Sequence, residues 1–227
     1  MSSLKPIKVW GADGPNPPKV PIVLEELGVP YEIVPVEISK TKEPEYLKVN
    51  PNGRIPAIYD PNTDLTLWES GAIVLYLIER YDKKQALSFP AGSNDAALAL
   101  QYLFFQVSGQ GPYYGQNVWF HKFHSEDVPS VKERYLKEVN RVTGVLEGEL
   151  EKQKSKGGDG PWLVGGKYSY ADLSFLPWQL IMVKFFDKNG YNHASFPLVK
   201  NWIERILQRK GVRAALSQSS YLKNFVE

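Results

Sequence analysis

The 227-residue chain contains no cysteine. That excludes disulfides, thiolate metal sites and any nucleophile made from a thiol of its own. Charge of one sign is also missing. The 27 Lys and Arg stand against 25 Asp and Glu, a net charge of +2, without the concentrated basic face that a nucleic-acid partner requires. No run approaches the ~20 apolar residues needed to cross a bilayer, and the opening MSSLKPIKVW carries no apolar signal region. The expectation is a soluble, cytoplasmic protein with no membrane partner. His121 and His124 are spaced i, i+3, but no third ligand has convincing spacing, so no metal is expected. One absence is local. The stretch GADGPNPPKVPIVLEELG, Gly11 to Gly28, reads as a loop entering an amphipathic helix, where an anion is readily held, yet it has no Cys, Ser, Thr or Tyr.

What is present is ordinary for a globular protein, apart from the many aromatics (6 Trp, 13 Tyr, 10 Phe), which suggest an aromatic-rich core or pocket. Ile7–Trp10 is a short β-type run. Val20, Val23, Leu24 and Leu27 then recur at helical spacing until Gly28. Tyr31–Ile38 alternates with period two, interrupted by Pro35. The order β-α-β favours a parallel pair with a right-handed crossover. After the short helical turn PEYLKVN, the runs IPAIYD and LTLW form an antiparallel pair across PNTD, and Ile73, Val74, Leu77, Ile78 and Tyr81 share one helical face. Asp82–Asp95 breaks this pattern. Beyond it only helices are expected, over about 94–121, 128–154, 170–186, 198–209 and 211–219. The expected division is a domain over 1–82, a linker over 83–93 and an all-α domain over 94–227.

Two motifs suggest a binding site. In NPNGRIPAIYD, Pro51-Asn52-Gly53 is a turn signal, and Ile55-Pro56 opens a strand with a residue that cannot donate to the ladder. The plain reading is a loop entering an edge strand. A cis Ile55–Pro56 bond would instead turn the Ile55 N–H and C=O outward to pair with an extended peptide ligand. In LWESGAIVLYL, Glu69 and Ser70 precede an apolar helix, and an N-cap explains them by itself. They also suit an α-amino acid end, with the carboxylate taken at the helix start by Ser70 and the ammonium held by Glu69.

These motifs, an α/β first half and an all-α second half together resemble a cytosolic glutathione transferase over essentially the whole chain. The resemblance implies a thioredoxin-like N-terminal domain of order β-α-β-α-β-β-α followed by an all-helical C-terminal domain. It also implies a cis Ile55–Pro56 peptide pairing with the cysteinyl part of glutathione, and Glu69 with Ser70 holding the γ-glutamyl end. Lys40, Lys42 or Arg54 would take the glycyl carboxylate, an alternative the sequence leaves open. GPWLVGGKYSYADLSFLPW resembles the family's buried helix start, with Ser169 and Asp172 as a capping box, a folding signal rather than a catalytic one. LFFQVSGQGPYYGQNVWF with ERYLKEVNRV resembles the nu-class transferases of bacteria and the transferase-like domain of the prion-forming yeast nitrogen regulator. Carried over from that group, Gln106 and Arg134 contact glutathione, partly across a homodimer interface. Without a ligand, Leu103–Phe120 reads as a helix with a Gly-Pro kink. The prion former's Gln/Asn-rich tail has no counterpart in this sequence, which argues against a nitrogen-regulator role.

The family works by ionising the thiol of its co-substrate glutathione. A thiol of pKa near 8.5 is only a few per cent ionised at neutral pH, and lowering it by two units takes about 2.7 kcal/mol. Other classes use a Tyr, Ser or Cys after the first strand. The matching position here is Asn16, which donates a hydrogen bond but takes no proton. Pro17 and Pro18 strip main-chain N–H groups from the helix start, which increases the weight on that side chain. The plain reading of Asn16 is an N-cap. The functions implied are conjugation to a small hydrophobic electrophile, in keeping with detoxification, or glutathione-dependent reduction of a disulfide or hydroperoxide. The alternative is a non-catalytic binding or regulatory protein of the same fold.

Overall fold

The computed structural model describes residues 4–156 and 160–227. They form two compact units, one holding the described chain up to Ser88 together with Leu207–Glu227, the other Phe89–Ile206.

In the first unit the elements run β1 (Ile7–Trp10), α1 (Lys19–Leu27), β2 (Tyr31–Val34), α2 (Pro44–Leu47), β3 (Ala57–Asp60), β4 (Leu65–Trp68) and α3 (Ser70–Tyr81). This is the order implied for a thioredoxin-like domain. The sheet order is β2-β1-β3-β4. β1 and β2 are parallel with Val9 opposite Ile33, as the β-α-β reading requires. Antiparallel pairing sets Val9 opposite Ile58 and Ile58 opposite Leu67. β2 is shorter than its alternating pattern because Pro35 offers no N–H to extend the ladder. Ile7, Val9, Ala57 and Ile58 are fully buried, as are Val20, Val23 and Leu24 of α1 and Ile73, Val74 and Leu77 of α3. Each large side chain so enclosed contributes about 1.5–3 kcal/mol. α1 stops where expected, Gly28 adopting φ 65° and donating its N–H to Glu25 O.

The C-terminal segment packs with this unit rather than with the helices that precede it. α9 (Lys210–Ser217) lies along α1. Arg209 forks onto Glu26, Nε to Oε1 at 3.0 Å and Nη2 to Oε2 at 2.6 Å. The Ser220 N–H and hydroxyl both donate to Asp13 Oδ1. A β-carbon at Gly211 would lie 3.0 Å from the Glu26 nitrogen, so glycine is what permits this approach. The sequence alone groups 94–227 in one domain, because a run of helices carries no mark of which core each one joins.

The second unit is helical: α4 (Asn94–Phe105), α5 (Gly111–Lys122), α6 (Pro129–Gln153), α7 (Tyr170–Phe186) and α8 (Pro197–Leu207), whose last residue counts with the first unit. Ser93 caps α4, accepting from Ala96 N. The expected Gly-Pro kink proves to be a π-helical turn, Gln106–Gln110, just before Gly111-Pro112. Pro112 sits in the first turn of α5, where its missing N–H costs least. α7 is buried along nearly its whole length and begins with the expected capping box of Ser169 and Asp172.

Candidate functional site

The starts of α1 and α3 come together around one side chain that belongs to none of the sequence motifs. Lys19, the first residue of α1, is 1% exposed. Its Nζ donates to Asn16 Oδ1 at 2.9 Å and to Ser70 Oγ at 3.2 Å. The helix start explains both contacts. Pro18 occupies the N-cap position with no side-chain cap, so Asn16 is not the cap. Its main-chain carbonyl accepts from Lys19 N at 3.3 Å, while its side chain meets the ammonium. Ser70 is not a cap either. It is the first helical residue of α3, and Glu69 occupies the cap position without a side-chain capping hydrogen bond. Lys19 precedes Val23 by one helical turn, so it lies on the apolar face. A lysine on that face was the signal that could have found it.

Burial pushes the Lys19 ammonium from 10.5 down to about 7, opposed by the nearby Glu69 carboxylate. A cation whose value falls on folding weakens the fold while it stays charged. Its cost is therefore relieved as pH rises from about 7 toward 10.5, where the unfolded chain alone still holds the proton.

Glu69 is exposed and adopts φ 72°, ψ 113°, a conformation costing about 1–3 kcal/mol for a non-glycine residue. Strain of this kind persists where the surrounding fold enforces it, often at a binding site. Here the Glu69 carbonyl accepts from Ile73 N at 2.9 Å, and Oε1 lies 3.4 Å from Asn52 Nδ2. The Asn52 carbonyl accepts from Lys42 Nζ at 2.8 Å. Polar side chains thus run from Lys42 through Asn52 to Glu69, next in sequence to Ser70, and on through Lys19 to Asn16.

The turn that leads into β3 is fixed by two further residues, Asn50 and Tyr46. Asn50 is 1% exposed and donates from Nδ2 to Arg54 O at 2.6 Å while accepting Asn52 N at 2.9 Å. Tyr46 OH donates to the same Arg54 carbonyl. The Arg54 residue as a whole is exposed. The Ile55–Pro56 bond is cis. β3 begins only at Ala57, and the Ile55 N–H and C=O make no hydrogen bond among the described residues. The Ile55 side chain packs against Gly11, where an added β-carbon would lie 2.8 Å from the Ile55 Cβ at φ +86°. Gly11→Ala is therefore expected to lower stability by about 1–2 kcal/mol and shift the Ile55 main chain. Thermal unfolding and ligand titration check this; an unchanged melting temperature would contradict it.

Lys40 stands apart from these residues. It lines a cavity of about 530 Å³ with Trp10, Asp13, Glu37 and Tyr46, and none of Asn16, Lys42, Ile55, Glu69 or Ser70 borders that cavity. Gln106 and Arg134 belong to the helical unit. Arg134 is exposed on α6. Gln106 is fully buried in the π-helical turn, and its Nε2 donates to Gln110 Oε1 at 3.0 Å. Enclosed in this way, its side chain does not reach the surface of this unit. The His121 ring nitrogen pairs with Asn117 O, and the His124 ring packs on Phe120. Among the described residues no group of three or more His, Cys, Asp or Glu is placed to hold a metal ion, and no helix is long and apolar enough to cross a membrane.

Comparison with known proteins identifies the family. Residues 5–79 match the N-terminal domain of glutathione S-transferase, and residues 112–210 match its C-terminal domain. The glutathione S-transferase-like protein gedE of Aspergillus terreus is 61% identical over 219 residues, 96% of this chain and 97% of its own. Protein URE2 of Candida albicans is 36% identical, covering 89% of this chain and 67% of that protein. The crystal structure of glutathione transferase URE2P6 from Phanerochaete chrysosporium, in complex with oxidized glutathione, superposes with a TM-score of 0.88. It is 44% identical and covers 98% of both chains. With a thioredoxin-like first domain, an all-helical second domain and matches to both family domains, the chain belongs to the glutathione S-transferase family.

Proposed function

We propose that this protein is a cytoplasmic, homodimeric glutathione transferase that stabilises the glutathione thiolate with Asn16. The observation that carries the reading is the meeting of Asn16 and Ser70 at the Lys19 ammonium, which joins the starts of α1 and α3. In this reading Ser70 and the N–H groups opening α3 take the γ-glutamyl carboxylate, where the helix dipole favours an anion. The exposed Glu69 carboxylate takes the ammonium. The Ile55 N–H and C=O, which make no hydrogen bond among the described residues, pair with the cysteinyl main chain as a neighbouring strand would. Lys42 and Arg54 are the cations assigned to the glycyl carboxylate, because Lys42 joins the same polar run and Arg54 is exposed beside Ile55. Arg134 remains a proposed contact, made in a homodimer.

Asn16 has no basic site, so the thiol proton leaves to water. The thiolate then attacks a carbon electrophile, forming a carbon–sulfur bond and expelling a leaving group such as halide. With a disulfide it forms a mixed disulfide and releases one thiolate. A second glutathione completes the exchange, yielding oxidised glutathione and the second thiol. Glutathione binding by calorimetry, followed by turnover assays with an aryl halide, a hydroperoxide and a small disulfide, tests this reading. Ser70→Ala is expected to weaken glutathione binding about tenfold, the worth of one charge-assisted hydrogen bond. An unchanged affinity would contradict its role. Similarity to the URE2 proteins favours a second reading as a regulatory binding protein, which glutathione binding without turnover on any of these substrates would support.

A further inference from the structure

We propose that Lys19 is a positioning residue of the glutathione site. Its buried ammonium turns the Asn16 carbonyl oxygen inward, sets the amide N–H groups outward as donors, and holds a cation where the anionic groups of the ligand gather. This rests on the glutathione reading above.

The chemistry of the contact fixes the orientation. An ammonium only donates, so the atom of Asn16 that faces Lys19 Nζ at 2.9 Å is the acceptor oxygen, and the nitrogen lies on the other side of the amide. Losing that partner removes the interaction that keeps the amide oxygen inward, and an oxygen turned toward a sulfur repels a thiolate. The same ammonium meets Ser70 Oγ, so one cation aligns a residue before α1 with the first residue of α3. The charged group acting on it is Glu69 at the start of α3. From α9, Arg209 pairs with Glu26 near the far end of α1. A buried cation weakens the fold, and an apolar side chain of similar length would fill the space at lower cost. A bound anion supplies the opposite charge that favours the ammonium, and the ammonium in turn favours the thiolate.

The test uses the full chain with Lys19→Met, which removes donor and charge, and Lys19→Gln, which keeps a donor and removes the charge. Wild type is first shown to bind and turn over glutathione; its failure to do so overturns both the glutathione reading and this inference. With an active wild type, Lys19→Met is expected to lower kcat about 30-fold with KM changed less than threefold. The acid limb of the kcat/KM profile should move up by about one pH unit. Lys19→Gln should show the same movement of the limb but recover part of kcat, because its amide still orients Asn16. Ligand-free, both variants should melt no lower than wild type. Should Lys19→Met fail to fold, the Lys19→Gln profile decides. A folded variant whose acid limb coincides with wild type overturns the inference, as does a lowered melting temperature with no movement of the limb.

Discussion

Asn16→Ala is expected to lower kcat by about 10²–10³ while changing glutathione affinity less than threefold. The estimate follows from what the side chain does in the proposed site. It donates to charge that is full on the thiolate and nearly absent on the thiol, so its loss falls on the ionised, reacting state. Removing one such pre-oriented donor elsewhere costs about 10²–10³ in kcat. The helix start has no ready substitute, because Pro17 and Pro18 carry no N–H. Removing Asn16 also deprives the buried Lys19 ammonium of an acceptor. Steady-state kinetics with an aryl halide, alongside calorimetric titration of glutathione, separates the two effects. A kcat within threefold of wild type would remove Asn16 from the chemistry.

Asp172→Ala is expected to destabilise the helical unit by about 3–5 kcal/mol without touching glutathione chemistry. The carboxylate is fully buried, and burial pushes it up from 3.8 to about 6, against the hydrogen bonds that favour its charged form. It accepts from Leu163 N at 2.9 Å, Ser169 N at 3.0 Å, Trp202 Nε1 at 2.9 Å and Ser169 Oγ at 3.1 Å. One side chain thereby ties the loop before α7, the first turn of α7 and the middle of α8. Alanine leaves three buried N–H donors unpaired, each costing about 1–3 kcal/mol, with partial relief where water enters. Urea denaturation followed by circular dichroism measures the difference. Asp172→Asn, which keeps an acceptor, should lose less. A cost under about 1 kcal/mol for alanine would show that the capping box is dispensable.

Much of the fold was legible because its signals are local. Alternation marked the strands, Gly28 marked the end of α1, and Ser169 with Asp172 marked the start of α7. The C-terminal segment was not legible, because its affiliation depends on Arg209 meeting Glu26 across most of the chain, which no periodicity records. The motif residues of the candidate site stood out through turns, a strand-opening proline and a Glu-Ser pair at a helix start. Their roles in the fold did not. Asn16 and Ser70 both read as N-caps, and neither is one, since both side chains are engaged by Lys19. That lysine was invisible to motif reading because a lysine beside a helix start is ordinarily solvated; burial, a three-dimensional property, is what distinguishes it. Gln106 stood out through its place in a helical motif, but its enclosure against Gln110 in the π-helical turn did not.

In the proposed site, the stretch without a hydroxyl or thiol supplies a donor rather than a base, and the nucleophile is the ligand's own sulfur. The ultraviolet absorbance of the thiolate of bound glutathione, titrated against pH in wild type and Asn16→Ala, tests that claim most directly. The expected result is a bound thiol ionising about two units below its free value near 8.5 in wild type, and much closer to that free value in the variant. A bound thiol that titrates at its free value in wild type, or identically in both proteins, would contradict the account.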